Sequence, residues 1–138
     1  MDRFEIEGFE VMETAKRLVE SDRFAKYLGM KLVEVRPGYA RASLDVGENH
    51  FNGAGLVHGG VIFTLADFAF AAACNEGRNP TLGINASISF IRGARGGLIT
   101  AEAKEISATN RLCTFEVTVY DQDGGPAARM LSTGYIKQ

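Results

Sequence analysis

The sequence lacks the features that metal-binding, nucleic-acid-binding and secreted proteins usually carry. Its two cysteines, Cys74 and Cys113, lie far apart without the spacing of a metal site, so we expect free thiols in a reducing compartment. The net charge of −2 argues against a nucleic-acid partner, and no basic run suggests a membrane surface. Residues 1–5 are acidic and lack the apolar segment of a secretory signal. We therefore predict a cytoplasmic protein that binds no metal, nucleic acid or membrane.

Long hydrophobic runs are also missing. The most apolar stretch, residues 61–74, is only 14 residues long and contains Asp67, which suits a buried helix better than a membrane span. The chain has 138 residues, of which 46% are apolar. That is enough for one compact domain with a core and too little for two. We therefore predict a single domain over residues 1–138.

Hydrophobic periodicity predicts two helices and six strands. Apolar residues recur at helical spacing over residues 10–27, with Gly29 as a stop signal, and the alanine-rich run 61–74 predicts a helix buried nearly all round. Period-two alternation predicts the strands, and the short turns between them imply antiparallel pairing. The predicted strands are residues 31–35, 39–46, 82–91, 98–106, 112–120 and 129–136. This order predicts an α+β fold, with one antiparallel sheet and a long helix on a single face.

Two features of the predicted buried helix, residues 61–74, are unusual for a helix whose role is only structural. Asp67 lies in its middle with no Lys or Arg within two turns, and a buried carboxylate is costly unless it is paired or functional. Gly59 and Gly60 open the helix and leave N–H groups at the positive end of its dipole, where a carbonyl oxygen can become an oxyanion. Each feature also has a structural explanation. Asp67 could face a solvent channel or a neighbouring strand, and the glycines could allow close packing.

The spacing between these features suggests a dimer. Gly59 and Asp67 are eight residues apart, or about 12 Å along a helix, which is too far for both to act on one carbon. If both act on one substrate, they come from different chains. Two antiparallel copies of the helix around a two-fold axis would then provide two equivalent sites.

The ordered set Asn52, His58, Gly59, Gly60 and Asp67 resembles the motif of the phenylacetic-acid-degradation-type thioesterases of the hotdog superfamily. The order of elements also fits over about residues 25–135. The resemblance implies a hotdog fold, in which an antiparallel sheet wraps around a long central helix. It further implies hydrolysis of an aryl- or medium-chain acyl-CoA, with no cofactor beyond the coenzyme A of the substrate. The family's assembly implies a homodimer, and a dimer of dimers beyond it.

The resemblance also assigns roles to single residues. Asp67 would be the general base or the nucleophile, and the N–H of Gly59 would polarise the thioester carbonyl. Asn52 would position the carbonyl, the water or the histidine, while His58 would orient the loop, hydrogen-bond the thioester or be purely structural. Some relatives hold the water with a serine on the strand after the helix. Here that strand begins Thr81-Leu82-Gly83-Ile84-Asn85, which offers no serine at the corresponding position, and Thr81 or Asn85 is the candidate substitute.

The remaining candidates would contact the substrate. Phosphates of coenzyme A need cationic partners, for which Arg92, Arg95 and Arg111 are candidates, although each is equally explained as a solvated turn residue. Gly60 would line the thioester site, and Phe68, beside the catalytic candidate, is the best candidate for an acyl pocket.

Two other functions remain open from the sequence. His50 faintly resembles the histidine of the hotdog dehydratases, but the position fourteen residues on, where they place a glutamate, is Thr64. A non-catalytic acyl-CoA binding or sensing module is the second alternative, because fold alone does not decide function. The absence of an added regulatory domain weakens it.

Overall fold

The structure, a computed structural model, describes residues 9–138. Its elements in chain order are α1 (Phe9–Ser21), α2 (Arg23–Leu28), β1 (Lys31–Arg36), β2 (Tyr39–Asp45), α3 (Gly59–Asn75), β3 (Thr81–Phe90), β4 (Leu98–Ala108), β5 (Leu112–Tyr120) and β6 (Pro126–Ile136). A single 3₁₀ turn, Glu48–His50, lies in the loop before α3.

The six strands form one sheet in the order β1-β2-β4-β5-β6-β3, and every neighbouring pair is antiparallel. Helix α3 contacts all six strands, and the buried core lies between it and the sheet. In that core the ring of Phe70 on α3 meets the ring of Phe115 on β5 edge-on, with centroids 5.5 Å apart. The predicted α+β architecture, a sheet wrapped around a long central helix, is confirmed.

The predicted N-terminal helix is divided at Asp22. The backbone of Asp22 is extended, and its carboxylate accepts a hydrogen bond from the N–H of Ala25 at 2.9 Å, so it caps the new helix α2. The helical periodicity continues across this cap and hides the break. Gly29 ends α2 in the left-handed conformation, with φ of 88°, as the sequence predicts.

One stripe of α3 is open to solvent, which differs from the prediction of burial nearly all round. We call the residues Gly60, Phe63, Thr64, Asp67 and Ala71 the open stripe, since all five are exposed or half-buried. Their spacing of three or four residues places them on one side of the helix. The other sides of α3 are packed in the core. Within residues 9–138, no helix combines the length and apolarity needed to cross a membrane.

Strand β3 lies at an edge of the sheet and pairs only with β6 in the described chain. None of its ten residues is buried, and Leu82 and Ile84 are 63% and 57% exposed. The pairing shifts between Gly83 and Asn85, where the strand bulges. A bulge redirects the side chains around it, and an exposed apolar edge is a surface that folded proteins usually cover.

Candidate active site

The loop before α3 is held by Asn52. Its Oδ1 accepts the N–H groups of Ala54 at 2.9 Å and Leu56 at 3.0 Å, which fixes the orientation of the amide. A β-bridge between Phe51 and Val57 closes the same loop. Asn52 therefore shapes the approach to the helix, while its Nδ2 donates to no acceptor among the described residues.

His58 caps α3. Its Nδ1 accepts the N–H of Gly60 at 2.8 Å, so that nitrogen carries no proton. The Gly60 N–H is thereby used inside the protein and is not available for a substrate. The capping bond uses only Nδ1 of the exposed His58 ring, and the orienting and thioester-binding roles of His58 stay predictions.

The N–H of Gly59 has no acceptor among the described residues. Gly59 lines a depression of about 290 Å³, whose lining also includes Asn52, Leu56, Phe90 and Arg92. A side chain at Gly59 would place its Cβ only 3.4 Å from the ring of Phe90, so a glycine lets the helix end approach β3 closely. An unpaired N–H at a helix N-terminus, in a depression that Asn52 also lines, suits a carbonyl oxygen that gains negative charge.

Asp67 lies on the open stripe at a second depression, of about 380 Å³. Its lining residues are Phe63, Asp67, Phe70, Gly83, Ile84, Asn85, Ala86 and Ser132. The side chain is exposed at the mouth, yet the surrounding protein raises the pKa of its carboxyl through desolvation, and the charge of Asp22 raises it further. A raised pKa makes a carboxylate a stronger proton acceptor, which suits a general base.

Gly59 and Asp67 line separate depressions in one chain. This agrees with their separation of about 12 Å along α3. The described chain therefore carries two half-sites, one with the N–H donor and the other with the carboxylate.

The two candidates for holding water lie in different places. Asn85 follows the β-bulge and lines the Asp67 depression. Thr81 lies four residues earlier, about 13 Å along the strand. Its backbone N–H and C=O bond the side-chain amide of Asn75 at 2.8 and 3.2 Å, and its hydroxyl donates to the C=O of Asn79. Thr81 joins the end of α3 to β3 and does not line the Asp67 depression.

Phe68 is a core residue and does not line the depression. It is 4% exposed, because successive residues of a helix point about 100° apart and the neighbour of an exposed Asp67 turns inward. The aromatic residues that line the depression are Phe63 and Phe70.

The three candidate arginines are not brought together. Arg92 follows β3, lines the Gly59 depression and pairs with Asp123. Arg95 lies in the same turn, where its backbone N–H bonds Asp121 at 3.1 Å. Arg111 lies at the opposite end of the sheet, where its C=O accepts the N–H of Ile136. Of these three arginines, Arg92 lines the depression of the donor half-site, and Arg95 directly follows its lining residue Ala94.

Ser132 was missed by the sequence reasoning. It is 1% exposed on β6, and its Oγ has no hydrogen-bond partner, yet it lines the Asp67 depression. The available signal was its position, because it alternates with Met130 and Gly134 on the inward face of a predicted strand.

The histidine on which the dehydratase alternative depends, His50, has both ring nitrogens bonded within the protein. His50 is buried, its Nδ1 accepts the N–H of Gly47 at 2.8 Å, and its Nε2 donates to the C=O of Leu28 at 2.8 Å. The hydroxyl of Thr64 donates to the C=O of Gly60 at 2.7 Å. Within residues 9–138, no group of three or more His, Cys, Asp or Glu side chains could hold a metal ion.

Known proteins resemble the chain over most of its length. Residues 54–128, more than half of the chain, match the family model of the thioesterase superfamily. A putative esterase of Archaeoglobus fulgidus is 36% identical over 103 residues, covering 74% of this chain and 67% of that protein. The acyl-coenzyme A thioesterase PaaI of Escherichia coli is 31% identical over 111 residues, covering 80% of this chain and 79% of its own.

A solved structure extends the likeness to the whole fold. The structure of E. coli PaaI, from the phenylacetic acid degradation operon, matches with a TM-score of 0.89 and 26% identity over 95% of this chain and 96% of that one. The predicted hotdog fold and the predicted family are therefore confirmed. The chain belongs to the thioesterase superfamily, as a hotdog-fold thioester hydrolase of the PaaI type.

Proposed function

We propose that the protein hydrolyses acyl-CoA thioesters at a site formed by two chains, with Asp67 of one chain and the Gly59 N–H of the other. The observation that carries the proposal is the pair of incomplete half-sites, an unpaired N–H donor in one depression and a carboxylate of raised pKa in another. Two copies related by a two-fold axis would complete both.

The hydrolysis follows from these two groups. Asp67 takes a proton from a water molecule while the water oxygen forms a bond to the thioester carbon. The carbonyl electrons move to the oxygen, whose charge the N–H of Gly59 and the Nδ2 of Asn52 stabilise. When the carbonyl reforms, the C–S bond breaks and coenzyme A leaves as a thiolate, which takes up the proton. If Asp67 is instead the nucleophile, it forms a mixed anhydride that water then cleaves. When water attacks the Asp67 carboxyl carbon of this anhydride, single-turnover hydrolysis in oxygen-labelled water leaves the label in Asp67. The general-base route places the label in the released acid and never in Asp67.

Exposed surfaces on α3 and β3 support the dimer. The open stripe and the apolar edge of β3 face solvent together in one chain, and a second copy would cover both. Gly59 lies beside Phe90, and Asp67 lies beside residues 83–86. Antiparallel pairing of two β3 strands about an axis between residues 87 and 88 would set Phe90 opposite residue 85 of the partner. That register would bring each Gly59 to the Asp67 half-site of the other chain.

The substrate class rests on relatives and on the lining of the site. E. coli PaaI and a human protein 29% identical over 112 residues are both named acyl-coenzyme A thioesterases. Phe63 and Phe70 line the Asp67 depression and would contact an aryl or medium-chain acyl group. Arg92 and Arg95, beside the donor half-site, would meet phosphates of coenzyme A, with Arg92 exchanging its contact to Asp123. No cofactor is needed for this reaction.

The proposed assembly is the dimer of dimers that the family resemblance suggests, and the proposed location is the cytoplasm. Cys74 and Cys113 are free and buried, which suits a cytoplasmic protein whose thiols stay reduced.

The test is thiol release from benzoyl-, phenylacetyl-, hydroxyphenylacetyl- and straight-chain acyl-CoAs, measured for wild type and Asp67→Asn. We expect the variant to lose about a hundredfold to ten-thousandfold in kcat, because the amide keeps the shape and cannot accept the proton. Acyl-CoA binding by the variant, measured by calorimetry, should persist and serves as the folding control. Tight binding without release by the wild type would contradict the proposal and favour a binding module.

A further inference from the structure

Ser132 is buried at a position where its hydroxyl lowers the stability of the fold and finds no hydrogen-bond partner. It lies on β6, opposite Ala86 of β3 and Phe115 of β5, and it is 1% exposed. Its Oγ makes no hydrogen bond. A buried hydroxyl without a partner destabilises the folded state relative to an alanine at the same position. Such a residue calls for a reason other than stability.

The surroundings of Ser132 point to the reaction. Among the residues that line the Asp67 depression, the polar ones are Asp67, Asn85 and Ser132. The other walls are aromatic rings, Ile84, Gly83 and Ala86. Ser132 therefore adds a hydroxyl to the depression that holds the candidate base, where Asn85 is the other polar side chain. Thr81, a predicted source of this hydroxyl, is bound to Asn75 and Asn79 elsewhere.

We propose that the hydroxyl of Ser132 orients the water molecule that Asp67 deprotonates. The inference rests on the proposed hydrolysis. A water that donates one hydrogen to the Asp67 carboxylate and accepts one from Ser132 keeps a single lone pair free, directed at the thioester carbon. The Oγ is shielded in the rotamer observed, so the side chain must turn about χ1, among the three staggered positions open to serine. The role resembles that of the serine that some relatives carry on the strand after the helix, supplied here from β6.

The test is Ser132→Ala, assayed for kcat, KM and thermal unfolding with an acyl-CoA that the wild type hydrolyses. We expect kcat to fall about tenfold, the loss expected for one hydrogen bond at the water, while KM changes little. The Tm should stay the same or rise, because an unsatisfied buried hydroxyl is removed.

The matched control is Cys113→Ala. Cys113 is equally buried on the neighbouring strand β5 and does not line the depression. Removing its sulfur should lower the Tm slightly and leave kcat unchanged, which is the opposite pattern. A wild-type kcat in Ser132→Ala would overturn the inference, as would a loss of kcat that accompanies a lower Tm. If Asp67→Asn is inactive at the same time, the proposed function survives that failure. A wild type without thioesterase activity would overturn both.

Discussion

Two inactive variants should restore activity to one another if the site is shared between chains. Asp67→Asn removes the base from one half-site. Asn52→Asp acts on the other, because it keeps the Oδ1 that holds Ala54 and Leu56 and replaces the Nδ2 donor with a negative oxygen. That oxygen would repel the developing oxyanion, so we expect a loss of about a hundredfold or more.

The size of the recovery follows from the two-fold geometry. In a mixed dimer, one site combines the intact Asp67 of one chain with the intact Asn52 and Gly59 of the other, and the second site carries both defects. Coexpression at equal levels makes half of the dimers mixed, so the preparation should show about a quarter of wild-type activity. Mixed dimers isolated through two different affinity tags should show about half, and a doubly tagged dimer of dimers, which can also hold unmixed dimers, about two-sevenths.

The assay is thiol release from the best acyl-CoA, with the separately purified variants as the baseline. A doubly tagged mixed dimer that is no more active than the mean of the two variants would refute the shared site. Activity would then have to come from Gly59 and Asp67 of one chain, against their separation of about 12 Å. A chain carrying both substitutions, coexpressed with wild type, is the matched control. Each site of that mixed dimer takes one altered side, so we expect both of its sites to be defective, whereas sites confined to single chains would leave the wild-type one intact.

Two further predictions concern pH. Desolvation, and then the charge of Asp22, raise the pKa of Asp67, so Asp22→Asn should move the acidic limb of the kcat profile to lower pH, while asparagine still caps α2. An unchanged limb would show that the two carboxylates are not coupled. Burial raises the pKa of Glu76 from 4.5 to about 7, although the N–H of Ala15 bonds its carboxylate at 3.2 Å. Because this folded-state pKa lies above the unfolded value, the stability it contributes is present below pH 4.5 and is lost as the pH rises to about 7. The Tm of Glu76→Gln, measured from pH 4 to 8, should fall less over this window than that of the wild type, and parallel curves would contradict the assignment.

Much of the fold is predictable because the strands are consecutive and the turns short. A short turn leaves an alternating segment little choice but to pair with its neighbour, and the predicted strand 112–120 coincides with β5. The cap at Asp22 was not predicted, since apolar residues keep their helical spacing on both sides of it. The break is caused by the hydrogen bond from the Ala25 N–H to the Asp22 carboxylate, which hydrophobic periodicity cannot predict.

The candidate site also contains residues that the sequence predicts and residues that it does not. Asn52, Gly59 and Asp67 lie on a loop and one helix, where spacing in sequence converts directly into distance. Asn85 and Ser132 depend on which way strand side chains point, and the bulge in β3 changes that direction without a clear signal in the sequence. Their meeting with Asp67 therefore depends on the pairing of β3 with β6, which are separated by two intervening strands along the chain.

The disagreement between the sequence of α3 and its exposure has one physical explanation that covers the site as well. The helix has almost no polar face, as expected for a helix buried on all sides, yet one chain leaves its open stripe in contact with solvent. Strand β3 shows the same disagreement, with apolar side chains at an uncovered edge. A second copy, paired through β3, would bury both surfaces at once and would place the carboxylate of Asp67 in a less polar environment. The raised pKa of Asp67 would then rise further, so the same contact that completes the site would also strengthen its base.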